Sequence, residues 1–324
     1  MSMLASRLKL TAPSLRSSGR QYGGIVAALL LLVIVFSCLS QRFLALDNFV
    51  NIAQQVAVIA VAAFGMTFVI MLGEIDLSMG SMIAVAGMAA AQCMAHGTGI
   101  GPAIIAALAA GLVMGAINGV IVAKLGMPSF IVTLATMGAF RGLVSLPTNG
   151  LPTAIDSDTW LDMGSDQWLG VPVLVWIMLA LFVVAYVLQV KTVFGRRAYL
   201  TGGNAEAATY SGIRIDRIRI IVFMLSGVLA AVSGMMLSSR LSSAQTNAGT
   251  GYELDAIAAT VLGGTSLSGG SGSMIGTLLG TLVIGVINNG MNMLSVPYFY
   301  QLIVKGIVIL VAVWLDIRSK RARS

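Results

Sequence analysis

Ten apolar stretches, separated by short polar or glycine-bearing breaks, divide the chain near 22–40, 49–72, 78–95, 102–123, 129–147, 171–190, 218–237, 254–265, 275–295 and 300–316. Most reach the roughly 20 residues that a helix needs to cross about 30 Å of hydrocarbon. The pattern therefore predicts an all-α integral membrane protein with about ten transmembrane helices. The eighth stretch is too short to span. It is expected to run on into the Gly/Ser segment Gly263 to Gly272, or to be a broken helix, because so many Gly and Ser residues cannot hold a continuous one. Residues 1–21 read as a basic tail, 22–316 as the transmembrane domain and 317–324 as a second basic tail.

Composition supports the pattern. Hydrophobic residues make up 57% and charged residues 10%, and the mean hydropathy of +0.94 exceeds what a soluble core of this length buries. A net charge of +7 would point to nucleic acid in a soluble chain, but here its distribution along the loops orients the protein and no nucleic-acid partner is expected. With the N-terminus inside, Arg7, Lys9, Arg16, Arg20, Lys124, the cations of Lys191 to Arg219 and those of Arg318 to Arg323 all fall on the cytoplasmic side. The longest loop on the other side, about 148–170, carries Asp156, Asp158, Asp162 and Asp166 without Lys or Arg. Both termini are therefore expected in the cytoplasm. The first apolar run lacks a small-residue cleavage site and leads into further spans, so it reads as a retained helix.

The chain also echoes itself. Gly115-Ala116-Ile117-Asn118, then Pro128-Ser129-Phe130, returns as Gly285-Val286-Ile287-Asn288, then Pro297-Tyr298-Phe299, and Glu74-Ile75-Asp76 returns as Glu253-Leu254-Asp255. With five crossings between the copies, one lies inverted relative to the other. Two inverted halves are a hallmark of transporters, because they build a path that opens alternately to either side.

Candidate chemistry is sparse. Cys38 and Cys93 read as small apolar residues, His96 as a lone external loop residue, and no metal-ligand spacing, catalytic constellation or cofactor motif is present. Gly111, Gly115 and Gly119, and Gly276 and Gly280, recur every four residues and predict close helix packing. No lysine follows a glycine, so the chain has no P-loop and any ATP is hydrolysed on another polypeptide. In the loop Lys191 to Arg219, Asn204 can cap a short helix over Ala205 to Ser211 and Gly212 can end it. Two turns are not stable alone, so the helix is expected to dock into a partner's groove; a linker lying on anionic lipid is the alternative.

Several runs resemble the ribose-type permeases of bacterial ABC importers. They are Gly249-Thr250-Gly251-Tyr252-Glu253-Leu254-Asp255, Val261-Leu262-Gly263-Gly264-Thr265-Ser266-Leu267, Gly73-Glu74-Ile75-Asp76-Leu77-Ser78, Gly202-Gly203-Asn204 and Arg240-Leu241-Ser242-Ser243-Ala244-Gln245. The resemblance extends from about 45 to 316 and departs at Glu74, where the family more often has glycine, and in the first 40 residues. It implies a permease subunit for a monosaccharide that works with a second permease subunit, a cytoplasmic ABC ATPase and a periplasmic sugar-binding protein in the bacterial inner membrane. In that setting Asn204, Glu206, Ala208 and Gly212 become the expected ATPase-coupling residues. Gln54, Gln55, Asn118, Asn288, Asn289 and Asn292 become candidates for the sugar path, because amides match hydroxyls, although interhelical hydrogen bonding explains them equally well. Lys305 is expected to snorkel or to pair with Glu253 or Asp255. An ion-coupled secondary transporter of a small polar solute remains the alternative, disfavoured because the acidic residues cluster at loops and helix ends.

Overall fold

The computed structural model describes residues 15–321. Residues 1–14 and 322–324 of the expected tails lie outside that range. Thirteen helices are described: α1 (Leu15–Leu39), α2 (Leu46–Met71), α3 (Met79–Ala95), α4 (Ile100–Leu125), α5 (Ser129–Ser145), α6 (Asp158–Ser165), α7 (Val173–Lys191), α8 (Val193–Gly203), α9 (Ala205–Tyr210), α10 (Ile215–Arg240), α11 (Tyr252–Leu262), α12 (Met274–Met293) and α13 (Tyr298–Arg321). Seven of them (α1, α2, α4, α5 with its 3-10 extension, α7, α10 and α12) are long and apolar enough to cross a membrane, while α3 and α13 supply shorter apolar stretches. This is an all-α membrane protein. The eighth apolar stretch is α11, eleven residues long and stopped by Gly263 and Gly264, so the chain continues as turns through 263–273 before Ser273 Oγ caps α12 by accepting from Gly276 N at 3.1 Å.

The core is built around α2. Its most apolar window is 89% buried against 6% for that of α1, so α2 runs through the middle of the bundle while α1 lies at its edge with most of its apolar side chains exposed. Contacts along the helices fix their directions. Gly65 of α2 faces Ser226 of α10, and Ser233 Oγ, further along α10, donates to Val58 O at 2.9 Å, so these two helices are antiparallel. On α4, Gly111 meets Gly227, Gly115 meets Phe223 and Gly119 meets Ile220 of α10, again antiparallel, and a Cβ at Gly111 or Gly115 would collide with the α10 backbone. Thr67 and Thr277 share a hydrogen bond of 2.7 Å while Asn289 Nδ2 donates to Asn48 Oδ1 at 2.9 Å, which sets α12 antiparallel to α2. It follows that α4 and α12, the helices bearing Asn118 and Asn288, run in opposite directions. The sequence echo is inverted in space.

The acidic loop is more ordered than its composition predicts. Within it, β1 (Thr153–Ala154) pairs antiparallel with β4 (Ser243–Ala244), and β2 (Gln167–Trp168) with β3 (Val171–Pro172). Helix α6 is pinned by Trp160, 2% exposed, whose indole N–H donates to Ser238 Oγ at 3.3 Å.

Candidate functional site

The two echo segments form matched polar centres inside the bundle. After α2 the chain turns at Gly73, φ +77°, and passes back into the protein as an irregular strap over 74–78, whose last two residues turn into α3. Its backbone donors are met by hydroxyls of α5: Ile75 N donates to Ser129 Oγ and Leu77 N to Thr133 Oγ1, both at 3.0 Å. Irregular backbone at membrane depth persists only where protein satisfies it in this way. Asp76, fully buried, accepts from Ser78 N at 3.0 Å, Ser78 Oγ at 2.6 Å and Ser226 Oγ at 3.1 Å. Ser226 lies about 16 Å along α10 from its first residue at 1.5 Å per residue. Asn118 Nδ2 completes the centre by donating to Ser78 Oγ at 2.8 Å.

The second centre is the inverted counterpart. Asp255, 1% exposed in the first turn of α11, accepts from Asn288 Nδ2 at 3.1 Å and from Lys305 Nζ at 2.9 Å. Of the two acidic partners expected for Lys305, Asp255 is the one that it meets. The lysine has no twin in the first half: counted from Pro297 and Pro128, Thr136 stands in its place. Arg141 on α5 donates through Nη1 to Thr246 O and Ala248 O, both at 2.8 Å, holding the segment that leads into α11. The starts of α3 and α11 then meet, because a Cβ on Gly80 would collide with Gly249 O and the Glu253 carboxylate.

This arrangement corrects one expectation. In sequence Asp76 and Asp255 stand at loops and helix ends. In space the strap and α11 carry them into the bundle, where hydroxyls, amides and one lysine compensate their burial. Glu74, the departure from the family pattern, also acquires a partner: its Oε1 forms an ion pair with Arg219 Nε at 3.0 Å, tying the strap to the base of α10.

The six path candidates do not gather at one place. Gln55, Asn289 and Asn292 line a cavity of about 750 Å³ together with Arg42, Asp47 and Arg240. Gln54 instead donates to Gly164 O of α6 at 3.0 Å, and Asn118 and Asn288 belong to the two polar centres.

The loop Lys191 to Arg219 has the predicted cap and stop. Asn204 Oδ1 accepts from Ala207 N at 2.9 Å, and Gly212 ends the element with φ +78° while its N–H donates to Thr209 O at 2.9 Å. Glu206 and Tyr210 point outward, whereas Ala208 is only 4% exposed and faces its own chain. The structure adds a helix before it, α8, beyond the single short helix that the sequence predicts. It is capped by Thr192 Oγ1, which accepts from Gly195 N at 3.2 Å, and the Thr192 position within a basic, glycine-bearing run was its only local signal. Gly202 of α8 lies against Met71 O, and Gly270 N donates to that same oxygen at 2.9 Å. The C-terminus of α2, the end of α8 and the Gly/Ser segment are thus one knot, joining the loop helices to the centre of the bundle.

A helical bundle with inverted polar centres, re-entrant backbone and a loop helix rooted in its core defines a membrane permease. Residues 48–313 match the family described as branched-chain amino acid transport system / permease component, and the chain belongs to that family. It is 49% identical over 301 residues to the ribose import permease protein of Bacillus subtilis (strain 168), covering 92% of this chain and 93% of that one. The ribose import permease protein of Escherichia coli (strain K12) is 47% identical over 293 residues, 89% of this chain and 91% of the relative. The xylose transport system permease protein of E. coli (strain K12) is 35% identical over 385 aligned positions, 98% of each chain. No solved structure matches.

Proposed function

We infer that this chain is the membrane-spanning subunit of a bacterial inner-membrane ABC importer for a monosaccharide, ribose or a related pentose or hexose. ATP hydrolysis sits on a separate cytoplasmic ATPase, a periplasmic binding protein delivers the sugar, and a second permease subunit completes the pore. The observation that carries the reading is the similarity to ribose import permeases along nearly the whole of both chains. The family description names branched-chain amino acids, whose aliphatic side chains call for an apolar site. The cavity containing Gln55, Asn289 and Asn292 is lined otherwise by Arg42, Asp47, Asn48, Asn51 and Arg240, with Ala45 and Met293 as its apolar residues, which suits a hydroxylated solute.

The proposed orientation has ten crossings with both ends in the cytoplasm. The end of the bundle bearing α8, α9, Lys124 and Arg219 faces the cytoplasm, where α9 meets the ATPase through Glu206 and Tyr210, with Asn204 and Gly212 setting its ends. Gln55, Asn289 and Asn292 are proposed to meet the sugar, and Asn118 and Asn288 to hold the two polar centres in shape. The test is reconstitution in proteoliposomes with the ATPase and the binding protein. ATP-dependent accumulation of labelled ribose, not displaced by excess leucine, is expected. Accumulation of leucine, or sugar uptake driven by a proton gradient without the ATPase, would overturn the reading.

A further inference from the structure

The loop before α7 ends in a hairpin whose tip is built against local preference. Strands β2 and β3 are joined by Leu169 and Gly170, with φ of +56° and +76°. Positive φ at both central residues marks a type I′ turn, whose first position usually holds Asn, Asp or Gly because other side chains crowd the backbone there. Among the described residues, the non-glycines with positive φ are Asn149, Leu169, Ser242 and Ser295, and Leu169 alone is apolar. It is also 94% exposed, beside Trp168 at 63%. Backbone strain and exposure both count against leucine at this place unless something outside the chain receives it.

Helix α7 fixes the depth of the tip. Its 19 residues at 1.5 Å each measure about 28 Å, close to the roughly 30 Å of bilayer hydrocarbon. Val173 and Lys191 therefore stand near the two boundaries, and the hairpin, which ends at Pro172, lies at one of them. The same helix fixes the direction. Leu174, Met178 and Ala185 form its buried face, while Trp176, Leu179, Val183, Val187 and Val190 make an exposed stripe on the opposite side, at helical spacing. On a membrane-crossing helix such a stripe meets acyl chains. Trp176 heads the stripe, and its indole N–H donates to Trp168 O at 3.2 Å, so the hairpin is fastened to the exposed side of α7 and not to its core side. We propose that Trp168 and Leu169 insert into the interfacial layer of the bilayer, in the outer leaflet for the orientation given above, and anchor the start of α7 there. Tryptophan suits that layer because one end of the ring system is apolar and the other is wet. Lipid already lies along the stripe beneath the tip, whereas a docking protein would have to reach it through the headgroups. The anchor also steadies α6, which ends two residues before β2 and packs through Gly164 on Ser239 and Arg240 beside the polar cavity. It rests on α7 crossing the membrane and not on the solute carried.

The test places a nitroxide on Leu169→Cys in the full chain, with Cys38→Ser and Cys93→Ser, reconstituted in phosphatidylcholine vesicles. Collisions with oxygen, which concentrates in lipid, and with a water-soluble nickel chelate then report depth. Labels at Val183→Cys on the stripe and Asp158→Cys on exposed α6 give the two references. Nickel collisions at Leu169 are expected to be about threefold fewer than at Asp158, with oxygen collisions retained. A second variant, Leu169→Asn with the native cysteines, separates anchoring from turn structure by sign. Asparagine suits the left-handed conformation, so a hairpin standing in water would tighten. An anchored hairpin instead loses about half of a leucine's burial, a factor of about five in its opening equilibrium, so its amides should exchange hydrogen faster in nanodiscs. Three results would overturn the proposal. The first is nickel access at Leu169 equal to that at Asp158 in vesicles, whether or not an added periplasmic binding protein then shields it. The second is slower or unchanged hydrogen exchange in Leu169→Asn. The third is loss of both oxygen and nickel collisions together with spin–spin coupling between labels, which would seat the tip against a second copy of the chain. None of these readouts needs the ATPase or a sugar, so failure of the transport reading leaves them unaffected.

Discussion

Replacing Lys305 by methionine isolates the most consequential buried contact. The ammonium sits 2.9 Å from Asp255, and the two side chains are 14% and 2% exposed, so little water reaches either charge. Removing one partner of a buried pair typically costs about 3–5 kcal/mol, because the other charge stays behind unpaired. Asn288 donates to the same carboxylate oxygen and relieves part of that cost, so Lys305→Met is expected to destabilise the bundle by about 2–4 kcal/mol. An ordinary interhelical polar contact in a membrane protein averages only about 0.6 kcal/mol, which makes the two readings separable. The measurement is a double-mutant cycle of Lys305→Met, Asp255→Asn and the pair, by reversible unfolding in mixed micelles. The double variant should be far less damaged than the sum of the singles, with a coupling energy of about 2 kcal/mol or more. Additivity within about 0.5 kcal/mol would refute the argument that burial makes this pair strong.

Further outcomes follow from other contacts. Gly202→Val should abolish coupled transport while the ATPase still binds, since any β-carbon there strikes Met71 O and pushes α8 off the core; normal uptake would show that the knot does not transmit motion. Asn204→Ala should cost the α9 cap about 1 kcal/mol and lower transport-linked ATP turnover without changing membrane insertion, and unchanged turnover would place the coupling contact elsewhere. Gly115→Val should force α4 away from Phe223 and Met224 and lower thermal stability far more than Gly138→Val, where nothing lies within 4 Å of an added Cβ; equal shifts would count against the seam. Cysteines at Asp158 and Asn247 should react with an impermeant thiol reagent in intact spheroplasts and one at Thr209 should not, and external labelling of Thr209 would overturn the orientation.

Much of this protein was legible in one dimension. The apolar runs predicted the long helices because a bilayer demands some 20 apolar residues per crossing whatever the neighbours are. The Asn204 cap and the Gly212 stop were legible because capping is satisfied within three residues, as the bond from Ala207 N confirms. Even the inversion showed as a repeated string. What the sequence left open is every contact whose partners are far apart along the chain. Asp76 reads as a loop residue in sequence, whereas in the fold Ser226, 150 positions away, binds it, and the end of α8 is set by its approach to Met71 O, more than 100 positions back. The six polar amides look alike in sequence for the same reason: an amide in an apolar helix costs free energy until something pairs with it, and only tertiary packing decides whether that partner is Gly164, Ser78, Asp255, Asn48, Gln301 or, for Gln55, the open cavity. Local rules determine where helices run and stop, whereas the folded bundle decides which buried polar groups meet.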